Sequence, residues 1–280
     1  MNLFNILLIS FVISSLCYNE DLAITLYGYC ELSYCPNEVI QNYNCGSFCD
    51  ESYIDEIYIY TNDDYGTKSY SMVDYTKNNT IIFAFRGSDN FENYIYDIKL
   101  IQYEYPYCDN CQVHQGFYES YLSLSNLIYK DMDYYQNLID KGLINKVYIT
   151  GHSLGASIAT FMYNDLTTNY KSFVNSLDVF ELYTYGSPRN GNYEFATYVN
   201  KTLSGYRIVH YDDLVPHYPT QHFYYHIPIE IWYTDEDYSS YVICDMSGED
   251  ILCSNSVSPL YYSINDHHYF TYIYDETIVC

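Results

Sequence analysis

Basic residues are scarce in this chain. Lysine and arginine together number 11, against 36 aspartates and glutamates, for a formal net charge of −25. So acidic a surface repels phosphate, which argues against DNA or RNA as a partner and against capture by anionic bilayers. Charge is also sparse overall, at 17%, while 49% of residues are hydrophobic. That balance excludes an acidic disordered protein. The 280 residues suffice for a full core, and no internal repeat or low-complexity linker divides them, so 18–280 reads as one domain. Beyond the N-terminal run no segment is long and apolar enough to span a bilayer.

That run, Leu3 to Leu16, is nearly continuous and too short for a comfortable span. Ser15-Leu16-Cys17 puts small residues at the −3 and −1 positions of a cleavage after Cys17, and Tyr18 to Asp21 is polar. Residues 1–17 therefore read as a secretory signal peptide, although no Lys or Arg precedes the apolar run. Secretion suits ten cysteines. Beyond Cys17 they fall as Cys30/Cys35, Cys45/Cys49, Cys108/Cys111, Cys244/Cys253 and Cys280. Cys108-Asp109-Asn110-Cys111 has no second such pair, so a structural loop bridge fits better than zinc or redox chemistry. Asn78-Asn79-Thr80 and Asn200-Lys201-Thr202 are glycosylation sequons.

The chemistry centres on Val147 to Ile158. A β-branched and aromatic run ends in Gly151-His152-Ser153-Leu154-Gly155, and an apolar helical pattern follows at once. This is a strand, a sharp turn and a helix with Ser153 at the apex. Side chains at Gly151 or Gly155 would crowd the turn, and the backbone N–H of Leu154 is available to an oxyanion.

Around this unit, strands and helices alternate. Ile54 to Thr61 and Lys68 to Tyr75 read as paired strands, and Thr80 to Phe85 as a buried central strand. Tyr118 to Lys141 reads as one long helix ended by Gly142, and Leu154 to about Tyr170 as another. Val179 to Tyr185, Tyr206 to Tyr211 and Tyr224 to Tyr233 read as further strands. The expected fold class is α/β, a mostly parallel sheet flanked by helices with its site at the strand ends.

A serine hydroxyl needs an imidazole base and a carboxylate that orients it. In elbow hydrolases the order is Ser, then Asp or Glu, then His. Asp213 ends the strand after the nucleophile unit, and Asp212 would face the other way. The histidines after Asp213 are His217, His222, His226, His267 and His268. His217 is too near the acid in sequence to bridge easily to Ser153, and the last pair, which comes after a long return, fits the base better.

The motifs Phe85-Arg86-Gly87-Ser88, Val113-His114-x-Gly116-Phe117, Gly151-His152-Ser153-Leu154-Gly155, Gly186-Ser187-Pro188-Arg189-x-Gly191 and Asp213-Leu214-Val215-Pro216-His217 occur in that order. In this they resemble the class 3 lipases, secreted fungal triacylglycerol lipases and their relatives with an α/β-hydrolase fold. The resemblance runs from about Ala23 to Cys280. It implies Ser153 as nucleophile, Asp213 as acid, and Ser88 with Leu154 as the oxyanion hole. It also implies a short lid helix over 89–97, whose Phe91, Tyr94 and Ile95 share one face and cover the site in water. For the base, Asp266-His267-His268-Tyr269-Phe270 is one residue short of the family spacing; alignment on Asp-His selects His267, and a shift selects His268. His114 and His152 would orient the site, and Arg86 and Arg189 would form buried ion pairs.

The same resemblance implies disulfides Cys35–Cys280, Cys45–Cys49, Cys108–Cys111 and Cys244–Cys253. Cys30 is left over: free, paired elsewhere, or a sign that Cys17 is retained. The expected activity is hydrolysis of acylglycerols at an oil–water interface, with no metal or cofactor. Phospholipid or soluble feruloyl-type ester hydrolysis is the alternative, and a non-catalytic lipase-fold binding protein the third reading. The expected location is outside the cell, or the lumen of an acidic digestive vesicle reached by secretion.

Overall fold

Thr80 to Phe85 is buried at every position and forms one of the inner strands of an eight-stranded sheet. The architecture comes from a computed structural model that describes residues 18–50, 53–77, 79–88, 100–268 and 278–280. The signal-peptide segment 1–17, the sequon residue Asn78 and the lid residues Phe91, Tyr94 and Ile95 lie outside the described residues.

Two short helices come first, α1 (Glu20–Leu32) and α2 (Asn37–Asn42). Asn19 caps α1 by accepting from the Leu22 N–H, and Glu20 and Asp21 in its first turn suit the helix dipole. The hairpin β1 (Ile54–Asn62) and β2 (Thr67–Asp74) follows, then β3 (Thr80–Phe85). Strands β4 (Gln102–Glu104) and β5 (Gln112–His114) form a separate small sheet. Helices α3 (Gln115–Ile128) and α4 (Met132–Asp140) lead to β6 (Lys146–His152) and α5 (Leu154–Asn169). After them come α6 (Lys171–Asn175), β7 (Val179–Tyr185), α7 (Tyr193–Asn200), β8 (Gly205–His210), β9 (Glu230–Tyr233), β10 (Tyr241–Ile243) and α8 (Asn265–His268).

The main sheet runs β1-β2-β3-β6-β7-β8-β9-β10. The five strands from β3 to β9 are parallel, and antiparallel strands close both ends. Alternation along the strands divides the core in two. Ile81, Phe83, Phe85, Val147 and Ile149 pack with α3 and α5 on one face. Ile82, Ala84, Tyr148, Tyr183 and Ile208 pack with Ala23, Leu26 and Tyr27 of α1 on the other. Helix α5 is buried from Leu154 through Leu166, which is why its apolar residues run all round rather than along a stripe.

Tyrosine does unusual work inside. Few cations are at hand to offset buried carboxylates, so phenols donate to them. Tyr29 bonds Asp74 at 2.5 Å, Tyr60 bonds Asp131 at 2.8 Å, and Tyr121 and Tyr129 both bond Asp165. A hydrogen bond to a charged acceptor contributes about 1.5–3 kcal/mol.

Two expectations need correction. The long helix over 118–141 is two helices separated by a 3₁₀ turn at Tyr129–Asp131, where Tyr129 and Asp131 take up the phenol–carboxylate bonds just described. The strand over 224–233 shrinks to Glu230–Tyr233. Pro228 has no N–H to give a ladder, and Tyr225 pairs only as an isolated bridge with Gly191.

Candidate active site

Because β3, β6, β7 and β8 are parallel, their C-terminal ends deliver Gly87, Ser153, Gly186 and Asp213 to one edge. Ser153 sits between β6 and α5 at φ 61°, ψ −127°. A non-glycine residue rarely holds a positive φ, and the strain costs on the order of 1–3 kcal/mol. Close packing imposes it. A Cβ on Gly151 would lie 2.2 Å from the Gly155 carbonyl oxygen, and one on Gly155 would lie 2.1 Å from the Phe85 carbonyl oxygen. The helix can therefore start against the strands only when both positions are glycine. The Ser153 N–H donates to the Tyr185 carbonyl at 2.9 Å, tying the turn to β7. Its Oγ is buried and has no hydrogen-bond partner among the described residues.

Asp213 follows β8 and is fully buried. Its carboxylate accepts from His267 Nδ1 at 3.0 and 3.1 Å and from the Val215 N–H at 2.8 Å. Since Nδ1 carries the proton that points at the acid, Nε2 is the basic nitrogen. His268 is exposed, and its ring stands 5.5 Å from that of His267. The short spacing in the sequence is thus absorbed with His267, not His268, against the acid. Burial lowers the His267 pKa well below the ordinary histidine value, and His268 lowers it further. Burial pushes the Asp213 carboxyl up to about 7, against the Val215 N–H.

Gly186 makes this pair possible. It adopts φ +55°, and a Cβ there would lie 2.7 Å from His267 Cε1 and Nδ1 and 2.8 Å from Asp213 Oδ2. The imidazole and the carboxylate rest directly on its backbone. Ahead of the serine, Gly87 is equally confined: a Cβ would lie 2.3 Å from Tyr34 Oη and 2.8 Å from Ser153 Cβ. The stretch carrying Ser88 therefore runs past the nucleophile candidate. Leu154 opens α5, where N–H groups lack intrahelical partners. Backbone donors from both segments can serve a developing oxyanion.

The other residues singled out in the sequence fall around this edge. His114 Nδ1 caps α3 by accepting from the Phe117 N–H at 3.3 Å. Arg189 pairs with Glu249 at 2.7 Å, both nearly buried. Arg86 donates to the Gly66 carbonyl at 2.8 Å. Disulfides join Cys35 to Cys280, Cys45 to Cys49, Cys108 to Cys111 and Cys244 to Cys253. Cys30 is a buried thiol 3.0 Å from Thr150 Oγ1, and burial pushes its pKa up. Glu230, Cys244 and Cys253 cluster closely enough for a metal, but the two sulfurs are spent on each other. A polar cleft of about 690 Å³ has Asp212, Glu236, Asp237 and Asp266 in its wall, and neither Ser153 nor His267 lines it.

Three residues at the site carried no role in the sequence reading. Gly186 had a signal, as the first residue of a Gly-Ser-Pro-Arg turn after a strand. His210 binds the Asp266 carbonyl at 2.9 Å, and Tyr34 binds His152 at 2.8 Å. Neither had one, because both contacts join parts of the chain far apart in sequence.

The chain is similar to known proteins in both sequence and fold. Residues 82–223 match the family model described as lipase (class 3). A lipase of Rhizomucor miehei is 36% identical over 191 residues, covering 67% of this chain and 51% of the relative. The secreted mono- and diacylglycerol lipase A of Penicillium cyclopium is 31% identical over 169 residues, covering 60% and 52%. The chain thus spans about half the length of the curated relatives it matches. Among solved structures, a triacylglycerol lipase whose catalytic centre is a serine protease triad superposes with a TM-score of 0.74. It is 30% identical, with 89% of this chain and 94% of that one covered. The fold is that of the α/β-hydrolases, and the chain belongs to the class 3 lipase family.

Proposed function

We propose that the protein is a serine ester hydrolase acting on acylglycerols, with Ser153, His267 and Asp213 as its triad. The observation that carries this is the His267–Asp213 pair seated on Gly186, with the imidazole stacked on His152, the residue before a serine held at positive φ. Ser153 Oγ attacks the ester carbonyl while His267 Nε2 takes its proton. Asp213 holds the tautomer and stabilises the imidazolium. The N–H of Leu154 and the backbone and hydroxyl of Ser88 receive the oxyanion. His267 then protonates the departing alcohol, leaving an acyl-enzyme on Ser153. The same imidazole deprotonates the water that hydrolyses it.

Triacyl-, diacyl- or monoacylglycerol substrates at an oil–water interface fit best. The relatives are a lipase and a mono- and diacylglycerol lipase. Leu260 and Tyr261, 92% and 69% exposed, stand shortly before His267 and offer apolar surface to such an interface. The net charge of −25 disfavours anionic phospholipids. Four disulfides support a secretory destination. A binding protein without catalysis is disfavoured by the dyad, which such a protein would not need.

The test is a substrate panel on the purified protein. Triolein, phosphatidylcholine and a p-nitrophenyl butyrate series would be compared, the last carried across its solubility limit. Faster turnover of triolein than of phosphatidylcholine, with a jump in rate as emulsion forms, is the expected result. Hydrolysis of dissolved butyrate alone would replace the acylglycerol reading with a soluble esterase.

A further inference from the structure

Tyr34 lies just after α1, half-buried, and opens a chain of three hydrogen bonds that converge on the site, two of them its own. Its Oη accepts the Gly87 N–H at 3.0 Å. It also lies 2.8 Å from His152 Nδ1. The opposite nitrogen of that ring, Nε2, lies 2.8 Å from the backbone carbonyl oxygen of His267. A carbonyl only accepts, so Nε2 must carry a proton. Burial, reinforced by the neighbouring His267, keeps the His152 pKa well below the ordinary value, so the ring is neutral and Nδ1 is the acceptor. Every donor then has one direction. Gly87 N–H gives to the phenol oxygen, the phenol O–H gives to Nδ1, and Nε2–H gives to the His267 carbonyl.

The relay touches both halves of the chemistry. At one end it fixes the peptide that leads into Ser88. At the other it fixes the backbone of His267, whose ring stacks on His152 with centroids 4.4 Å apart. Tyr34 is itself anchored. Its neighbour Cys35 is bonded to Cys280, and Lys68 Nζ donates to the Cys35 carbonyl at 2.7 Å.

We propose that Tyr34 is a positioning residue for ester hydrolysis, setting the oxyanion strand and the catalytic imidazole in register through its phenol and His152. The inference rests on the hydrolase reading above. Removing the hydroxyl breaks both of its hydrogen bonds and lets both ends of the relay drift. A misplacement of about 1 Å costs up to about 100-fold in rate.

The experiment measures kcat and KM for p-nitrophenyl butyrate in the full-length protein. Tyr34→Phe lowers kcat about tenfold or more and leaves KM within about twofold. His152→Gln, which keeps an acceptor for the phenol and a donor for the carbonyl, stays within about threefold of wild type. His152→Leu falls as far as Tyr34→Phe. The double variant Tyr34→Phe/His152→Leu is no slower than the slower single one, because the two residues act in series. Multiplying losses, or a folded Tyr34→Phe with wild-type kcat, overturns the proposal. If Tyr34→Phe does not fold, the His152 pair decides, and equal kcat for the Gln and Leu variants overturns it. A wild-type enzyme active on butyrate with an unaffected Tyr34→Phe refutes this role alone. A wild-type protein inert on every ester refutes the hydrolase reading and this proposal with it.

Discussion

Gly186→Ala is a one-methyl perturbation with two calculable consequences. The first is conformational: φ +55° belongs to the left-handed region, which costs an L-residue roughly 1–2 kcal/mol. The second is steric. The new methyl would meet His267 Cε1 and Nδ1 at 2.7 Å and Asp213 Oδ2 at 2.8 Å, against an optimal carbon separation of about 3.5–4.0 Å. Relief demands that the ring retreat by roughly 1 Å. The Nδ1–Oδ2 bond, now 3.0 Å, cannot follow unless the acid moves too, and the Val215 N–H holds the acid in place. A shift of that size in a reacting group costs about 100-fold. The expected outcome is therefore a fall of about 100-fold in kcat with KM little changed. Stability should drop by about 1–3 kcal/mol, a decrease in Tm of roughly 2–12 °C for a chain of this size. Steady-state kinetics on a soluble ester and a thermal melt measure the two separately. A variant that melts lower yet keeps wild-type kcat would refute the claim that this backbone seats the dyad.

Three further outcomes follow from the same geometry. With burial pushing Asp213 up to about 7, the dyad takes up a proton as pH falls through neutrality and loses its base. So kcat/KM should decline below about pH 7, and a flat profile down to pH 5 would contradict the assignment. His268→Gln should keep kcat within about twofold on a soluble ester, because His268 is exposed and the acid faces His267; a loss comparable to that of His267→Gln would reverse the choice. Cys280→Ser opens a bridge with a sequence separation of 245. The chain-entropy relation gives about 5.5 kcal/mol for such a loop, readable as a reduced urea midpoint, and an unchanged midpoint would show that the bridge constrains little.

Much of this fold was legible in the sequence, and for physical reasons. A buried parallel strand must be apolar on both faces, so Thr80 to Phe85 and Val147 to Thr150 announced themselves. The elbow glycines were legible because the helix can approach its strand no other way. The phenol-rich break between α3 and α4 was not, since no proline or glycine marks it. Strand β9 is shorter than its sequence suggests because Tyr224 to Ile227 has a strand-like pattern while its neighbours offer no ladder. At the site, Ser153 and Asp213 stand in motifs whose chemistry dictates their place. Tyr34 does not: it is one tyrosine among 41, and it meets His152 across a separation of 118 residues. Only the folded chain distinguishes it.

The central claim is that Ser153 is the nucleophile of an ester hydrolase. Reaction with a p-nitrophenyl alkylphosphonate followed by peptide mass spectrometry tests it most directly. The account predicts one adduct, on the peptide that carries Ser153, formed in step with loss of activity and absent from Ser153→Ala. An adduct on another residue, or labelling of Ser153→Ala at the wild-type rate, would contradict it.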